Sequence, residues 1–234
     1  MADASLLVTL RGFAATARAS VATLASAASG GLTREAADGH IQLWARSVLD
    51  IADVRLEVHG RDRFSPSESF VVMSNHLSHV DVPVLAVAFP GSLRFVAKSE
   101  LFRVPFFGPA MRKAEMIELD RRDRGKALAS IALARERLST GISVWIAPEG
   151  TRSEGGALLP FKKGGFHLAL DAGCRILPVT IAGSRDVLAA HSARVVRGQR
   201  VTVTFRDPVD PADFGAAGRE ELMECVRQSI AAVP

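Results

Sequence analysis

The sequence predicts an α/β fold: a mostly parallel central sheet flanked by helices, preceded by an N-terminal amphipathic helical segment. From Val54 onward, short β-branched or aromatic runs alternate with helical patterns, the order in which parallel strands are joined by crossover helices. Residues 142–147 form an apolar run without polar alternation, as in a strand buried on both faces. Polar clusters directly follow two of the predicted strands, at residues 74–81 and 147–153, where open α/β sheets bind their ligands.

The elements follow in order. Residues 4–28 place Leu6, Leu10, Phe13, Ala17 and Leu24 at helical spacing, with Arg11 and Arg18 off that stripe. This amphipathic helix either lies in a membrane interface, arginines toward anionic headgroups, or packs on its own domain. Its scarcity of acid and its Arg and Ser also fit a transit peptide. Gly30-Gly31 ends the pattern, and a second helix is predicted over 33–49 with Ile41, Leu43, Trp44 and Val48 apolar. Residues 1–50 are thus read as a helical segment, open to membrane association, and 51–234 as the α/β domain. Strands are predicted at 54–59, 70–74, 93–97, 116–119, 142–147, 175–182 and 201–205. Helices are predicted at 125–138, 163–172 and 214–232, with a shorter helical stretch at 101–113 interrupted by Pro105 and Pro109. Gly141 and Gly173 close two of them.

Composition narrows the function. Apolar residues make up 48% of 234, enough for one full core, and 29 Lys+Arg against 25 Asp+Glu is only mildly basic. That balance fits an anionic substrate or a membrane surface and does not call for nucleic acid, for which no aromatic or zinc-finger pattern is present. Cys174 and Cys225 make neither a disulfide framework nor a ligand spacing, in keeping with a reducing cytosol. The longest uncharged run near the N-terminus, residues 19–33, is shorter than the roughly 20 apolar residues of a spanning helix. Asp3 and Arg11 interrupt any signal-peptide core.

Residues 74–81 read SNHLSHVD. His76 and Asp81, five apart, diverge on a continuous helix and face opposite sides of a strand. They meet only across a turn, as a strand-to-helix junction provides, and a carboxylate on one imidazole nitrogen then leaves the other to take a proton. Alternatively, Asp81 is a helix N-cap and His76 and His79 are polar loop residues. In the APEGTRS stretch, Arg152 offers a planar fork for phosphate oxygens. Gly150 permits close backbone approach, and Thr151 and Ser153 can donate hydrogen bonds. Glu149 would repel phosphate, so it is assigned to orienting Arg152 or binding a substrate hydroxyl; otherwise the stretch is a surface turn. Lys98 and Arg121 can add positive charge. Leu101, Phe102, Phe106 and Phe107 line an apolar slot or belong to the core. Lys162 and Lys163 sit at a helix start, where cations oppose the dipole unless an anion is held.

These clusters together resemble the acylglycerophosphate (lysophosphatidic acid) acyltransferase family. Its NHxxxxD motif is matched by Asn75, His76 and Asp81, and its second block by Lys98, Glu100, Leu101, Pro105, Phe107, Gly108, Asp120 and Arg121. Its EGTRS block is matched by Glu149, Gly150, Thr151, Arg152 and Ser153, and a proline-centred strand by Leu177-Pro178-Val179. The resemblance covers roughly residues 54–207. Glu115 departs from it, standing where the family usually has glycine, which leaves open how the turn before Ile117 packs or how the headgroup is treated. The resemblance implies acyl transfer from acyl carrier protein or coenzyme A thioester to the free hydroxyl of lysophosphatidic acid, without metal or other cofactor. It implies His76 and Asp81 as catalytic residues. Asn75, Lys98, Arg121, Glu149, Gly150, Thr151 and Arg152 are implied as substrate-binding, and the cytoplasmic face of a membrane as the location, peripheral or monotopic. A lyso-ornithine lipid is the alternative acceptor. Different classes are a metal-dependent hydrolase using His76, His79 and Asp81, and a lipid-binding protein without catalysis. A serine hydrolase lacks its GxSxG elbow, Gly183-Ser184-Arg185-Asp186 being the nearest approach.

Overall fold

Runs of alternating inward and outward apolar residues pair only with strands that present a matching face, and here they assemble one sheet. The structure is a computed structural model describing residues 2–120, 123–215 and 218–232. Among these, the strands are β1 (Arg55–His59), β2 (Val71–Ser74), β3 (Leu93–Lys98), β4 (Ile117–Leu119), β5 (Ser143–Ile146), β6 (Ile176–Ala182) and β7 (Arg200–Phe205). Their order is β1-β7-β6-β2-β5-β3-β4. Every neighbouring pair is parallel except β6 and β7, so the mostly parallel sheet predicted above is observed.

The helices are α1 (Ala2–Ala28), α2 (Arg34–Ile51), α3 (Asp81–Ala88), α4 (Phe107–Lys113), α5 (Arg124–Ser139), α6 (Gly164–Ala172), α7 (Ser184–Val187) and α8 (Arg219–Ala231). Thr33 caps α2 by accepting from the Ala36 N–H at 3.2 Å. The period-2 alternation of β2 divides the core. Val72 joins α2, α3 and the ring cluster of Phe64, Phe70, Phe89 and Phe205 on one face. Val71 and Met73 join α5, α6 and α8 on the other. All four residues of β2 are buried, as a central parallel strand requires. Helix α1 packs on α2 and α4. No helix among the described residues is long and apolar enough to cross a membrane.

Two boundaries differ from expectation, and one helix was not expected. The stretch 101–113 is two pieces, a 3-10 turn at Leu101–Arg103 and α4. Pro105 lies between them, and Pro109 falls in the first turn of α4, where its missing N–H costs nothing. The helix expected over 214–232 is α8 alone. Phe214 ends a separate 3-10 turn (Pro211–Phe214), and Gly215 at φ +63° turns the chain away. Helix α7, one turn long, is too short to show a period.

Glu115 lies in an ion cluster with side chains of α2, β3 and α5. Arg94, fully buried on β3, donates to Asp38 of α2 and, at 3.2 Å, to Glu115. Arg137 of α5 reaches Glu115 at 3.4 Å. Two guanidinium groups thereby meet two carboxylates. Glu115 takes φ +64°, a conformation glycine adopts freely; its side chain supplies a negative charge at the cost of that strain. Arg94 precedes Lys98 by four residues, about 13 Å along the strand. The departure at Glu115 therefore concerns packing of the turn before Ile117, not the loops at the strand ends.

Candidate active site

Strand β2 ends at Ser74 and α3 begins at Asp81; the intervening loop folds back so that both ends meet. Asp81, fully buried, accepts on one oxygen from His76 Nδ1 (2.8 Å), the Leu77 N–H (2.8 Å) and the Ser78 N–H (2.9 Å). An oxygen already accepting two backbone N–H groups takes a third donor, so the proton of His76 lies on Nδ1 and Nε2 keeps its lone pair. Asp81 is the first residue of α3, and the residue before it, Val80, makes no side-chain cap. The carboxylate gathers the preceding loop instead of serving as the N-cap considered from sequence. The His76 ring stands edge-on to Trp145 of β5, centroids 5.4 Å apart. Trp145 donates to Ser74 Oγ at 3.0 Å, and Ser78 Oγ ties the loop to the Leu188 carbonyl at 2.7 Å.

The loop after β5 closes on the first. Glu149 is 2% exposed; one oxygen accepts from the His76 N–H (2.9 Å) and the other from the Leu159 N–H (2.8 Å). The Ser153 N–H donates to the His76 carbonyl at 2.8 Å. The main chain of His76 is thus held on both sides by the EGTRS segment. Burial pushes the Glu149 carboxyl above the ordinary carboxylate range, with its two backbone hydrogen bonds opposing that shift. Sequence reasoning assigned Glu149 to Arg152 or to a substrate hydroxyl, but its oxygens are spent on backbone, and the surface-turn alternative fails because Glu149 is buried. Asn75 is similarly committed: its amide exchanges two hydrogen bonds of 2.8 Å with the backbone of Ile181, fastening the end of β2 to β6.

Positive charge converges on the same edge. His79, exposed as a whole residue, is held below the ordinary imidazole range, first by desolvation where it meets the surrounding protein and then by the charges of Arg152 and Lys98, with Asp81 opposing. Arg152 is half-buried, Thr151 and Lys98 are exposed, and Gly150 turns the loop at φ +76°. Arg121 lies outside the described residues. Among the described residues, no three His, Cys, Asp or Glu side chains are grouped to hold a metal ion, so the HxxHxD cluster does not close into a ligand set.

His79 also stands at the rim of a cavity of about 290 Å³. Helices α1, α2 and α4 wall it with Thr16, Ala19, Ile41, Trp44 and Met111, and Phe95 and Trp145 form its sheet side. Of the apolar slot expected from sequence, Leu101 and Phe107 line the cavity. Phe102 is core, and Phe106 is 66% exposed. The contribution of α1 and α2 had no sequence signal beyond helical periodicity. Trp145 was legible only as one apolar residue of a buried strand.

A family model described as Acyltransferase matches residues 55–182, more than half of the chain. The chain belongs to the acyltransferase family. This acyltransferase domain is 37% identical over 181 residues to 1-acyl-sn-glycerol-3-phosphate acyltransferase alpha of Homo sapiens, covering 77% of this chain and 64% of the human protein. It is 34% identical over 153 residues to 1-acyl-sn-glycerol-3-phosphate acyltransferase of Salmonella typhimurium, covering 65% of this chain and 61% of that protein. The chain therefore spans a little under two thirds of the length of these curated relatives. The crystal structure of the 1-acyl-sn-glycerophosphate (LPA) acyltransferase PlsC from Thermotoga maritima superposes with a TM-score of 0.82 at 27% identity, covering 97% of this chain and 92% of that one.

Proposed function

We propose that this acyltransferase moves a fatty acyl group from an acyl thioester to the free hydroxyl of lysophosphatidic acid, giving phosphatidic acid. The observation that carries the reading is the His76–Asp81 pair, 2.8 Å apart, set between a cationic edge and the mouth of an apolar cavity. His76 Nε2 takes the proton of the acceptor hydroxyl as its oxygen attacks the thioester carbonyl. The tetrahedral intermediate then collapses, breaking the C–S bond, and the leaving thiolate recovers the proton from the imidazolium. The donor, acyl carrier protein or coenzyme A thioester, lays its chain in the cavity beneath His79. Arg152 grips the acceptor phosphate as a fork, with Lys98, Thr151 and Gly150 contributing to the same site; Arg121 is kept as a substrate-binding residue on the family motif alone. Asn75 and Glu149 act as positioning residues through the backbone they hold. The step as proposed uses no metal ion or other cofactor.

Purified protein offered lysophosphatidic acid and a lyso-ornithine lipid with the same labelled donor tests the acceptor. Transfer to the phosphate-bearing lipid is expected, and Arg152→Ala should raise its KM about tenfold or more, the loss of one charge-assisted hydrogen bond pair. Preference for the phosphate-free lipid, or an unchanged KM, would remove the assigned acceptor or the role of Arg152.

The membrane surface enters through α1. Leu6, Leu10, Phe13 and Val21 are exposed, with Arg11 and Arg18 exposed on the same helix, while Val8, Ala15 and Thr23 face inward. An outward apolar stripe flanked by arginines suits an anionic bilayer interface, and we assign it to the cytoplasmic face, in keeping with two free cysteines. The wild type should co-sediment with vesicles containing phosphatidylglycerol, and the Leu10→Glu/Phe13→Glu double variant should stay in the supernatant. Equal sedimentation of the two would count against this placement.

A further inference from the structure

Neighbouring residues of a strand point to opposite faces of the sheet, and on β5 each of the last two meets a cavity. Trp145 lines the cavity beneath His79. Ile146, the next residue, lines a second cavity of about 280 Å³ on the other face, between the sheet and helices α5 and α6. Ile117, Ile131, Ala134 and Leu168 form its walls. Ser130 adds no polar surface need, because its hydroxyl is turned onto the carbonyls of Glu118 and Lys126. The cavity reaches the loop that follows β5, where Pro148, Gly150 and Lys162 line it. The Lys162 N–H donates to the Pro148 carbonyl at 2.7 Å, which keeps this lysine beside the Arg152 loop. Its neighbour Lys163 is instead paired with Glu220 at 2.8 Å.

An apolar cavity that has a lysine among its lining residues, on the loop that also carries Arg152, matches one kind of ligand: a hydrocarbon chain that ends within a few bonds of an anionic headgroup. We propose that the second cavity holds the acyl chain of the lysophospholipid acceptor, with Lys162 sharing the phosphate with Arg152. The inference rests on the acceptor reading above and deepens it. The product carries two acyl chains, and the sheet provides one cavity on each side of the edge where the ester bond forms. The donor chain enters between α1, α2 and α4; the acceptor chain enters between α5 and α6. Helix α5 follows β4 and runs back from the catalytic edge, so Ala134 and Ile131 lie deeper than Ala127 and a chain must be long to reach them.

The test uses the wild-type full chain and a 1-acyl lysophosphatidate with a diazirine at the end of its chain. Irradiation should label peptides of α5 or α6. Label confined to α1, α2 and α4, or an absence of protein label while acyl transfer proceeds, would show that the acceptor chain lies in the other cavity or in the bilayer, and would overturn the proposal while leaving the acyltransferase reading intact. Label on α5 or α6 without any acyl transfer would do the reverse. Kinetics give an independent arm. Ile131→Trp and Ala134→Leu fill the deep end, and each should raise KM for 1-oleoyl lysophosphatidate about tenfold, the loss of roughly two buried methylenes. Neither should change kcat/KM for the 1-hexanoyl acceptor or the preference among donor chains. An unchanged ratio between long and short acceptors would also overturn the proposal.

Discussion

His76→Ala is expected to lower acyl transfer by about 10²–10⁴-fold, the usual worth of a general base, with little loss of fold stability. The loop that bears the ring is held by groups other than the ring. Asp81 keeps two backbone donors, Glu149 still accepts from the residue 76 N–H, and Ser153 still donates to its carbonyl. Removing the imidazole therefore takes away chemistry and leaves architecture. Initial rates with a labelled thioester donor measure the first, a melting curve the second, and lysolipid binding completes the set. A variant that binds lipid, melts with the parent and has lost turnover fits the proposed base. Unimpaired turnover would strip His76 of that role and favour a protein that binds lipid without this catalysis. Asp81→Asn is the companion. The amide oxygen can still accept from the Leu77 and Ser78 N–H groups, which share one Asp81 oxygen with His76, so the loop should hold while activity falls, because a neutral amide no longer stabilises the imidazolium.

The second large effect falls on stability. Glu115→Ala should cost about 3 kcal/mol, the low end for breaking a buried ion pair, because the Glu115 side chain is itself 26% exposed while Arg94 is fully buried. For a chain of this length that corresponds to a fall in Tm of about 6–12 °C. The backbone provides an internal control. At φ +64° alanine keeps the strain that glutamate bears, whereas glycine releases about 1 kcal/mol of it. Glu115→Gly should therefore melt above Glu115→Ala and below the parent. Thermal or urea unfolding of the three proteins decides this. If Glu115→Ala melts with the parent, the carboxylate does not compensate Arg94; if Glu115→Gly melts highest, strain outweighs the ion pair.

The fold was legible in the sequence because its signals are local. The run at 142–147 reads as a doubly buried strand, and β5 occupies its centre. Gly141 and Gly173 stop helices where a left-handed residue is needed, and both take positive φ. Legibility failed where a short segment has no period, as in α7, and where one glycine splits a longer pattern, as Gly215 does before α8. At the site, the five-residue spacing lets His76 and Asp81 meet only across a turn, and the turn that brings them together is there. Glu149 was read as a group for Arg152 or substrate because a sequence shows the charge of a side chain and not the two distant N–H groups that satisfy it. Asn75 was read as a contact to substrate for the same reason; its partner Ile181 is far along the chain.

The sequence by itself determined most of the strands and helices along the chain, that an acid and an imidazole can meet at one junction, and the motifs that mark the family, since each of these is written in short stretches of residues. Only the tertiary structure decided that β7 pairs antiparallel to β6, that Glu149 clamps the main chain of His76, and that two apolar cavities lie on opposite faces of β5. These depend on which distant segments become neighbours, and that choice is made by the packing of whole faces and by the need of every buried N–H, carbonyl and charge to find a partner.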